Sequence, residues 1–219
     1  MKKIIFYALS ILLFALPVHA EWETLEGCRL LPNKYNDGDS FHIKHNGKEY
    51  IFRLCYVDAA ETDNSFKLRT SDQAKYWKIY KKELYILGEY AKQRSEKLLK
   101  EPFTVKTDWT DARGNSQLPR YFAVIETEYG DLGEILVKEG LVRIYGYTPR
   151  YPGGLSSKSY VERLRDFEEV AKEKKVGAWL GKKNITMPAL LEAAPEIQTK
   201  KSDALFKSYA ERMKEGQRR

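Results

Sequence analysis

The sequence predicts an α+β fold that is mainly β, a five-stranded Greek-key barrel of the OB type with about three packed helices. The first observation is a set of three short strand patterns, separated by an Asp-Gly turn at 37–38 and an Asn-Gly turn at 46–47. The second is a long helical pattern after them, and the third is a return to two strands before a final helix. This order of elements is typical of a small barrel whose sheet closes on itself.

The three strands at the start are predicted at residues 28–35, 40–45 and 49–57. The Asn-Gly pair between the second and third strands suits a two-residue type I′ turn, so these two strands form a hairpin. The third strand carries aromatic, β-branched and aliphatic residues on both faces, which is typical of a strand buried on both sides.

The later part of the chain supplies the helices and the last two strands. Ser71 or Asp72 offers an N-cap for the first helical region, and Pro102 ends the second one. Asp131 caps a short helix that Gly140 ends. The other elements are a helical stretch at 84–99, strands at 103–109 and 120–125, an extended segment at 141–147, a helix at 158–175 and a closing Gly-Ala-Trp at 177–179.

Acidic residues and one arginine gather around the predicted hairpin. Arg53 lies inside the apolar third strand, where an unpaired charge is costly to bury, so it needs an anionic partner. Asp58 and Glu61 follow at the end of this strand, and the hairpin is expected to bring Asp39 towards Asp58. Carboxylates grouped with an arginine suggest a hard cation that faces a bound phosphate.

The length and charge of the chain limit the class of protein. The 219 residues suit one domain with extensions, long enough for a proper core. There are 38 Lys and Arg residues against 31 Asp and Glu residues, which gives a formal net charge of +7. This surplus favours a polyanion such as nucleic acid, or an anionic surface, as the partner.

The first twenty residues have the features of a signal peptide. Lys2 and Lys3 form a basic start, residues 4–16 are nearly all apolar, and Val-His-Ala at 18–20 fits a cleavage site. We therefore expect a cleaved signal at 1–20 and a secreted or periplasmic protein, with an uncleaved anchor as the alternative. The apolar run is shorter than the roughly 20 residues of a membrane span, so no stable span is expected after cleavage.

Beyond the signal, we assign residues 21–181 to one domain and 182–219 to a basic linker and a C-terminal helical tail. Two prolines and no clear period at 182–201 indicate the linker. The tail helix is predicted from a weak apolar stripe of Ala204, Leu205, Tyr209 and Met213. This tail either stays solvated or docks on the domain or on a polyanion.

Cys28 and Cys55 are the only cysteines of the chain. Secretion permits a disulfide between them. The interpretation that we favour is two buried thiols in neighbouring strands, because the Cα separation that a disulfide requires cannot be read from sequence.

Five segments in order resemble the staphylococcal nuclease (thermonuclease) family over residues 25–179. They are Asp-Gly-Asp-Ser at 37–40, the stretch from Arg53 to Glu61, Arg-Tyr-Phe-Ala-Val at 120–124, the stretch from Gly133 to Leu141, and Gly-Ala-Trp at 177–179. Each segment alone is a weak signal, whereas five in order at compatible spacing are a strong one.

The resemblance implies a Ca²⁺ site. Asp39 and Asp58 would be its carboxylate ligands, and the backbone carbonyl of Ala59 would be a third protein oxygen. Oxygen donors in an irregular loop suit the loose coordination geometry of calcium. From the residues alone, Asp39 could instead cap its own turn.

The resemblance also implies a reaction, in which Glu61 would act as general base on the attacking water or position it. Arg53 and Arg120 would clamp the scissile phosphate as bidentate donors. Family enzymes cut DNA and RNA phosphodiesters, leave 3′-phosphates and have weak sequence preference. We expect a monomer with nucleic acid as its substrate.

Other interpretations remain open at the level of sequence. Ala60 stands where the family usually has proline, and Arg113 in the adjacent turn rivals Arg120 for the second clamp. Tyr145 and Tyr147 could stack on nucleic-acid bases or simply pack. A non-catalytic OB module that binds nucleic acid or another polyanion is the leading alternative to an enzyme. A structural, envelope-associated protein is the third class.

Overall fold

The computed structural model of the protein describes residues 22–114 and 116–194. The predicted signal peptide and the predicted tail helix lie outside these residues. The strands are β1 (Glu23–Leu30), β2 (Ser40–His45), β3 (Lys48–Leu54), β4 (Val57–Ala59), β5 (Phe103–Asp111), β6 (Arg120–Thr127), β7 (Gly130–Asp131) and β8 (Val142–Ile144). The helices are α1 (Lys67–Trp77), α2 (Lys81–Leu98), α3 (Leu132–Lys138), α4 (Ser157–Lys174) and α5 (Met187–Ala193), with a 3₁₀ helix at Gly177–Leu180.

Five of these strands close into the predicted barrel. Their order is β3-β2-β1-β5-β6, and neighbours in this order are antiparallel. A parallel pairing between β3 and β6, with Phe52 opposite Tyr121, closes the ring. The interior is apolar, and Phe41, Phe52 and Ile125 are fully buried within it. The α+β fold with a closed five-stranded barrel predicted from the sequence is therefore confirmed. The expectation that the fold is mainly β is wrong, because more of the described residues lie in helices than in strands.

The first strand begins and ends earlier than the predicted 28–35. The β1 register shifts between Leu25 and Cys28, where Gly27 has a φ of +68°, so the strand contains a bulge. After Leu30 the chain leaves the sheet. Asn36 ties the following loop down, because its Nδ2 donates to the Leu31 carbonyl at 2.8 Å and its Oδ1 accepts from the His42 amide at 2.8 Å.

The predicted third strand is two strands, not one. β3 ends at Leu54, and Tyr56 has a left-handed φ of 68° that turns the chain away from the barrel sheet. The next three residues form β4, which pairs with β8 instead of β2. This change of partner places Asp58 directly opposite Arg143.

The described residues contain five α-helices where about three were predicted. α1 begins at Lys67, so Ser71 and Asp72 lie inside the helix and the predicted N-cap is wrong. The predicted cap of α3 is confirmed, since the Asp131 Oδ1 atom accepts from the Glu134 amide at 2.9 Å. Residues 187–193, predicted as linker, form α5. Their proline, Pro188, stands in the first turn, where a missing N–H costs nothing.

Helix α5 extends the packed part of the domain. Leu190 is buried and α5 contacts α2. Within 22–194, excluding position 115, no helix is long and apolar enough to cross a membrane.

Both cysteines are buried free thiols, as the favoured interpretation predicted. They do not lie in neighbouring strands, however: Cys28 is in β1 and Cys55 follows β3, with β2 between these strands. Burial raises the pKa of the Cys28 thiol to about 11.

Candidate active site

The loop before β2 brings Asp39 onto β4. Asp39 is 1% exposed, and its Oδ2 accepts from the Ala59 amide at 2.7 Å. Gly38 makes this approach possible, because a Cβ at that position would lie 2.7 Å from the Cβ of Ala59 and 3.0 Å from that of Ala91. The turn therefore presses the Asp39 carboxylate against the strand that carries Asp58.

Arg53 joins the two aspartates. Its Nη2 atom donates to Asp39 Oδ2 at 3.0 Å and to Asp58 Oδ1 at 2.7 Å. Its side chain is 12% exposed, so the arginine buried in the third strand has the anionic partners that it needs. The structure thus brings Asp39, Arg53 and Asp58 together, as the hairpin predicts.

Asp58 receives more hydrogen bonds than the sequence suggested. Its Oδ1 accepts from Arg53 and from Arg69 Nη2, and its Oδ2 accepts from Gln73 Nε2 at 2.8 Å and Arg143 Nε at 2.7 Å. Burial opposes ionisation of this carboxyl. The three guanidinium groups and the amide outweigh burial, and the pKa of Asp58 lies below its usual value.

Glu61 is fixed through its backbone by two helices. Its amide donates to Gln73 Oε1 of α1 at 2.9 Å. Gly88 of α2 lies against it, since a Cβ there would be 2.5 Å from the Glu61 carbonyl oxygen and 2.6 Å from that of Ala60. These contacts hold the loop in which Ala60 replaces the proline of the family pattern.

The Glu61 carboxylate lies at the edge of the same cluster. Its Oε1 is 2.9 Å from Arg69 Nε, and its side chain is 15% exposed. Burial raises the pKa of Glu61, and the negative charges of Asp39 and Asp58 raise it further against the opposing effect of Arg69. Glu61 is therefore a stronger base than an ordinary surface carboxylate.

Arg120 begins β6, beside the strand that carries Arg53. Its Nη2 donates to the Arg113 carbonyl, and its guanidinium covers Gly114, where a Cβ would lie 2.7 Å from Nη2. Burial lowers the pKa of Arg120, and the positive charge of Arg53 lowers it further. Its Nε is buried without a hydrogen-bond partner in the described part of the chain.

Three residues of this site escaped the sequence analysis: Arg69, Gln73 and Arg143. Arg143 carried a usable signal, because a charge between Val142 and Ile144 in an apolar strand needs a partner for the same reason as Arg53. Arg69 and Gln73 were missed because the helix was predicted to begin at Ser71 or Asp72. They lie four residues apart on one face of α1.

The donor atoms here fit a hard cation. Asp39 Oδ1 is buried and has no hydrogen-bond partner among residues 22–114 and 116–194. The Asp58 carboxylate and the Ala59 carbonyl are the adjacent oxygens, and an all-oxygen set suits calcium. Across the described residues, His, Cys, Asp and Glu side chains alone form no cluster of three that could hold a metal. The candidate oxygens are those of the Asp39 and Asp58 carboxylates and the backbone carbonyl of Ala59.

The two candidate stacking tyrosines differ in their surroundings. Tyr145 is 59% exposed, and its ring centroid lies 4.2 Å from the guanidinium carbon of Arg143. The Tyr147 ring stacks on Phe122 at 4.7 Å, and its hydroxyl donates to Asp108 at 2.8 Å. Tyr145 thus offers a face to a ligand, whereas the described contacts of Tyr147 are those of internal packing.

A comparison with protein families matches this chain to a family model. A family model described as staphylococcal nuclease homologue covers residues 51–181, more than half of the 219 residues. This range includes Arg53, Asp58, Glu61 and Arg120, whereas Asp39 precedes it and joins the site through its contacts with Arg53 and Ala59. No curated protein matches the sequence. The match indicates a nuclease-like or nucleic-acid-related function.

Proposed function

Because the chain belongs to the staphylococcal nuclease family, we propose that it is a secreted or periplasmic, Ca²⁺-dependent endonuclease. It hydrolyses DNA and RNA phosphodiesters with little sequence specificity and leaves 3′-phosphates. The observation that carries the proposal is the cluster of Asp39, Arg53, Asp58 and Glu61, in which one buried carboxylate oxygen lacks a partner. A protein that only binds polyanions has no need of clustered carboxylates beside its arginines.

Asp39, Asp58 and the Ala59 carbonyl would hold the calcium ion. When bound, this ion supplies positive charge that polarises a phosphate oxygen. The Asp39 carboxylate is held in place by the hydrogen bond from the Ala59 amide to its Oδ2. Its Oδ1 has no partner in the described structure, so this oxygen is available to a cation.

Glu61 accepts the proton of the attacking water. Its raised pKa brings its basicity closer to neutral pH, where general-base catalysis is most effective. The contacts of its backbone with Gln73 and Gly88 fix the position from which the carboxylate acts. Arg69 must release this carboxylate for the proton transfer, since a paired guanidinium lowers its basicity.

Arg53 and Arg120 bind the scissile phosphate and neutralise the charge that grows on its oxygens. The unpartnered Nε of Arg120 provides a donor for this purpose, whereas Arg53 adds charge from within the cluster. Both arginines are assigned to the phosphate and not to a base edge, so base identity has little influence on cleavage. Tyr145 provides a sequence-tolerant stacking surface.

One observation favours a second candidate, a barrel that binds nucleic acid without cutting it. Both oxygens of Asp58 accept hydrogen bonds from protein donors, so its charge is already compensated by Arg53, Arg69 and Arg143. Such a site attracts polyanions through its arginines but holds no cation.

The test is to incubate the purified mature protein with plasmid DNA and with RNA, in Ca²⁺ and in chelator. We expect nicking of both substrates in Ca²⁺, 3′-phosphate ends, and no nicking in chelator. Mg²⁺ should substitute poorly, because it demands tighter octahedral geometry. Full activity in chelator would contradict the metal assignment, and binding in Ca²⁺ without nicking would establish the second candidate.

A further inference from the structure

Helix α1 places two hydrogen-bond donors on the atoms that calcium would use. The Gln73 side-chain amide donates to Asp58 Oδ2 at 2.8 Å and to the Ala59 carbonyl at 2.6 Å, so both of its protons point at candidate ligand oxygens. Arg69 Nη2 donates to Asp58 Oδ1. Among the candidate ligand atoms, Asp39 Oδ1 alone lacks a donor in the described structure.

We propose that Arg69 and Gln73 are further residues of the active site that set its cation affinity by competing with Ca²⁺ for Asp58 and Ala59. The inference rests on the proposed function, because it concerns the same metal site. It adds that α1 acts as a cap, whose donors must leave before the cation binds.

The competition follows from the number of acceptor positions. A carboxylate offers about four lone-pair positions, and those of Asp58 are filled by Arg53, Arg69, Gln73 and Arg143. Calcium requires an oxygen at roughly 2.3–2.6 Å with a lone pair directed at the ion. A cation can therefore reach Asp58 only when at least one donor withdraws.

Of the two α1 donors, Arg69 is the one placed to withdraw first, because Gln73 is fully buried. Arg53 and Arg143 extend from barrel and β4–β8 strands and are 12% and 8% exposed, whereas the Arg69 side chain is 31% exposed. The start of α1 is open to solvent, since Phe66 is 60% and Leu68 is 84% exposed. Release of Arg69 towards solvent therefore leaves the strands of the site in place.

The other end of α1 is anchored and keeps the cap close to the site. Trp77 is buried, and the Tyr76 hydroxyl donates to Glu168 of α4. Side-chain withdrawal near Arg69 and Gln73 thus does not require the whole helix to detach.

The same two residues also reach the proposed base. Arg69 Nε pairs with Glu61 Oε1 at 2.9 Å, and Gln73 Oε1 accepts from the Glu61 amide at 2.9 Å. Withdrawal of Arg69 from Asp58 also releases the Glu61 carboxylate. The cap consequently couples cation binding to the freeing of the base.

The test is calorimetric titration of Ca²⁺ into the mature protein without substrate, which reads affinity and not activity. The main variant is Gln73→Met, which keeps the side-chain length and the charge of the site but removes the amide donors. We expect the Kd for Ca²⁺ to fall about tenfold or more, because hydrogen bonds to charged groups are the strong ones. Arg69→Met should also tighten binding, and it carries the test if Gln73→Met does not fold.

The matched control is Arg163→Met, which removes a partly exposed arginine from an ion pair with Glu134 that includes none of the candidate ligand residues. It should leave the Kd for Ca²⁺ unchanged. NMR gives a second measurement, in which the Gln73 side-chain amide protons should exchange faster with solvent when Ca²⁺ is added to the wild type.

The outcomes separate this inference from the proposed function. Binding only by the variants, or tighter binding by the variants than by the wild type, supports the cap. Equal affinity in wild type and both variants overturns the cap and leaves the metal site intact. No Ca²⁺ binding by any form overturns the cap and the proposed metal dependence together.

Discussion

Two buried ion-pair clusters in this molecule use the same residue types in different ways. Between α2 and the end of α3, Arg94 and Glu139 form a bidentate ion pair. Arg94 Nε donates to Glu139 Oε2 at 2.7 Å, and Arg94 Nη2 donates to Glu139 Oε1 at 2.6 Å. Both side chains are 6% exposed. Each carboxylate oxygen of Glu139 has its own guanidinium donor, so the pair is geometrically balanced.

The cluster at Asp58 is not balanced. Four donors from Arg53, Arg69, Gln73 and Arg143 crowd onto one carboxylate, while the buried Oδ1 of the neighbouring Asp39 has none in the described chain. A buried polar atom without a partner is unfavourable unless something else satisfies it. The contrast separates a pair in which both carboxylate oxygens have partners from a cluster in which one buried carboxylate oxygen has none in the described chain.

The largest expected effect concerns the balanced pair. Arg94→Met removes one partner and leaves Glu139 buried without compensation, which typically costs about 3–5 kcal/mol of unfolding free energy. Urea denaturation measures this loss. Arg69→Met, in the unbalanced cluster, should cost less because Asp58 keeps three donors. Turnover per folded molecule of Arg94→Met should match the wild type, and a loss of turnover would contradict its structural role.

The second effect concerns the phosphate clamp. Arg120→Ala should lower turnover about 10²–10³-fold, as the loss of one charge-stabilising donor does in other enzymes, while Ca²⁺ affinity is retained. Arg113→Ala is the matched control in the same turn, because it keeps the backbone carbonyl that accepts from Arg120. Nicking rates under saturating substrate measure both variants. If Arg113→Ala is the inactive one, the clamp is Arg113.

The smallest effect is on acid stability. The pKa of Asp58 is lowered in the folded protein, mainly by Arg69 and Arg53 against burial, so the unfolded chain binds its proton first as the pH falls. The resulting stability is present above the ordinary aspartate pKa and is lost as the pH falls through the lower folded value. In the Asp58→Asn variant, the urea midpoint of unfolding should fall less steeply as the pH is lowered across the acidic range. If the midpoint of the variant falls with pH as steeply as that of the wild type, another group causes the acid sensitivity.

The barrel could be predicted because its signals are local. Turn residues at 37–38 and 46–47 and apolar runs at strand spacing determine which segments pair. The break in the third strand could not be predicted, since it depends on a left-handed Tyr56 that only the tertiary pairing of β4 with β8 explains. Helix α5 was missed because two prolines and no clear period at 182–201 indicated a linker, whereas Pro188 stands in the first turn of the helix.

Only the residues of the site that lie in or beside the strands could be predicted from the sequence. Asp39, Arg53 and Asp58 lie in or beside the hairpin, so sequence proximity and turn geometry bring them together. Arg69 and Gln73 come from a helix that follows the loop at 60–66, and their contacts with Asp58 depend on how α1 packs. Sequence spacing carries no information about that packing.

The central claim, that the unbalanced cluster performs phosphodiester hydrolysis, is tested most directly by Glu61→Gln. This change keeps the shape of the side chain and removes its charge and basicity. Single-turnover cleavage and DNA affinity are measured on the same preparation in Ca²⁺. We expect cleavage to fall about 10²–10⁴-fold, the usual range for loss of a general base, while DNA binding is retained or tightened. Unchanged cleavage in Glu61→Gln would contradict the account.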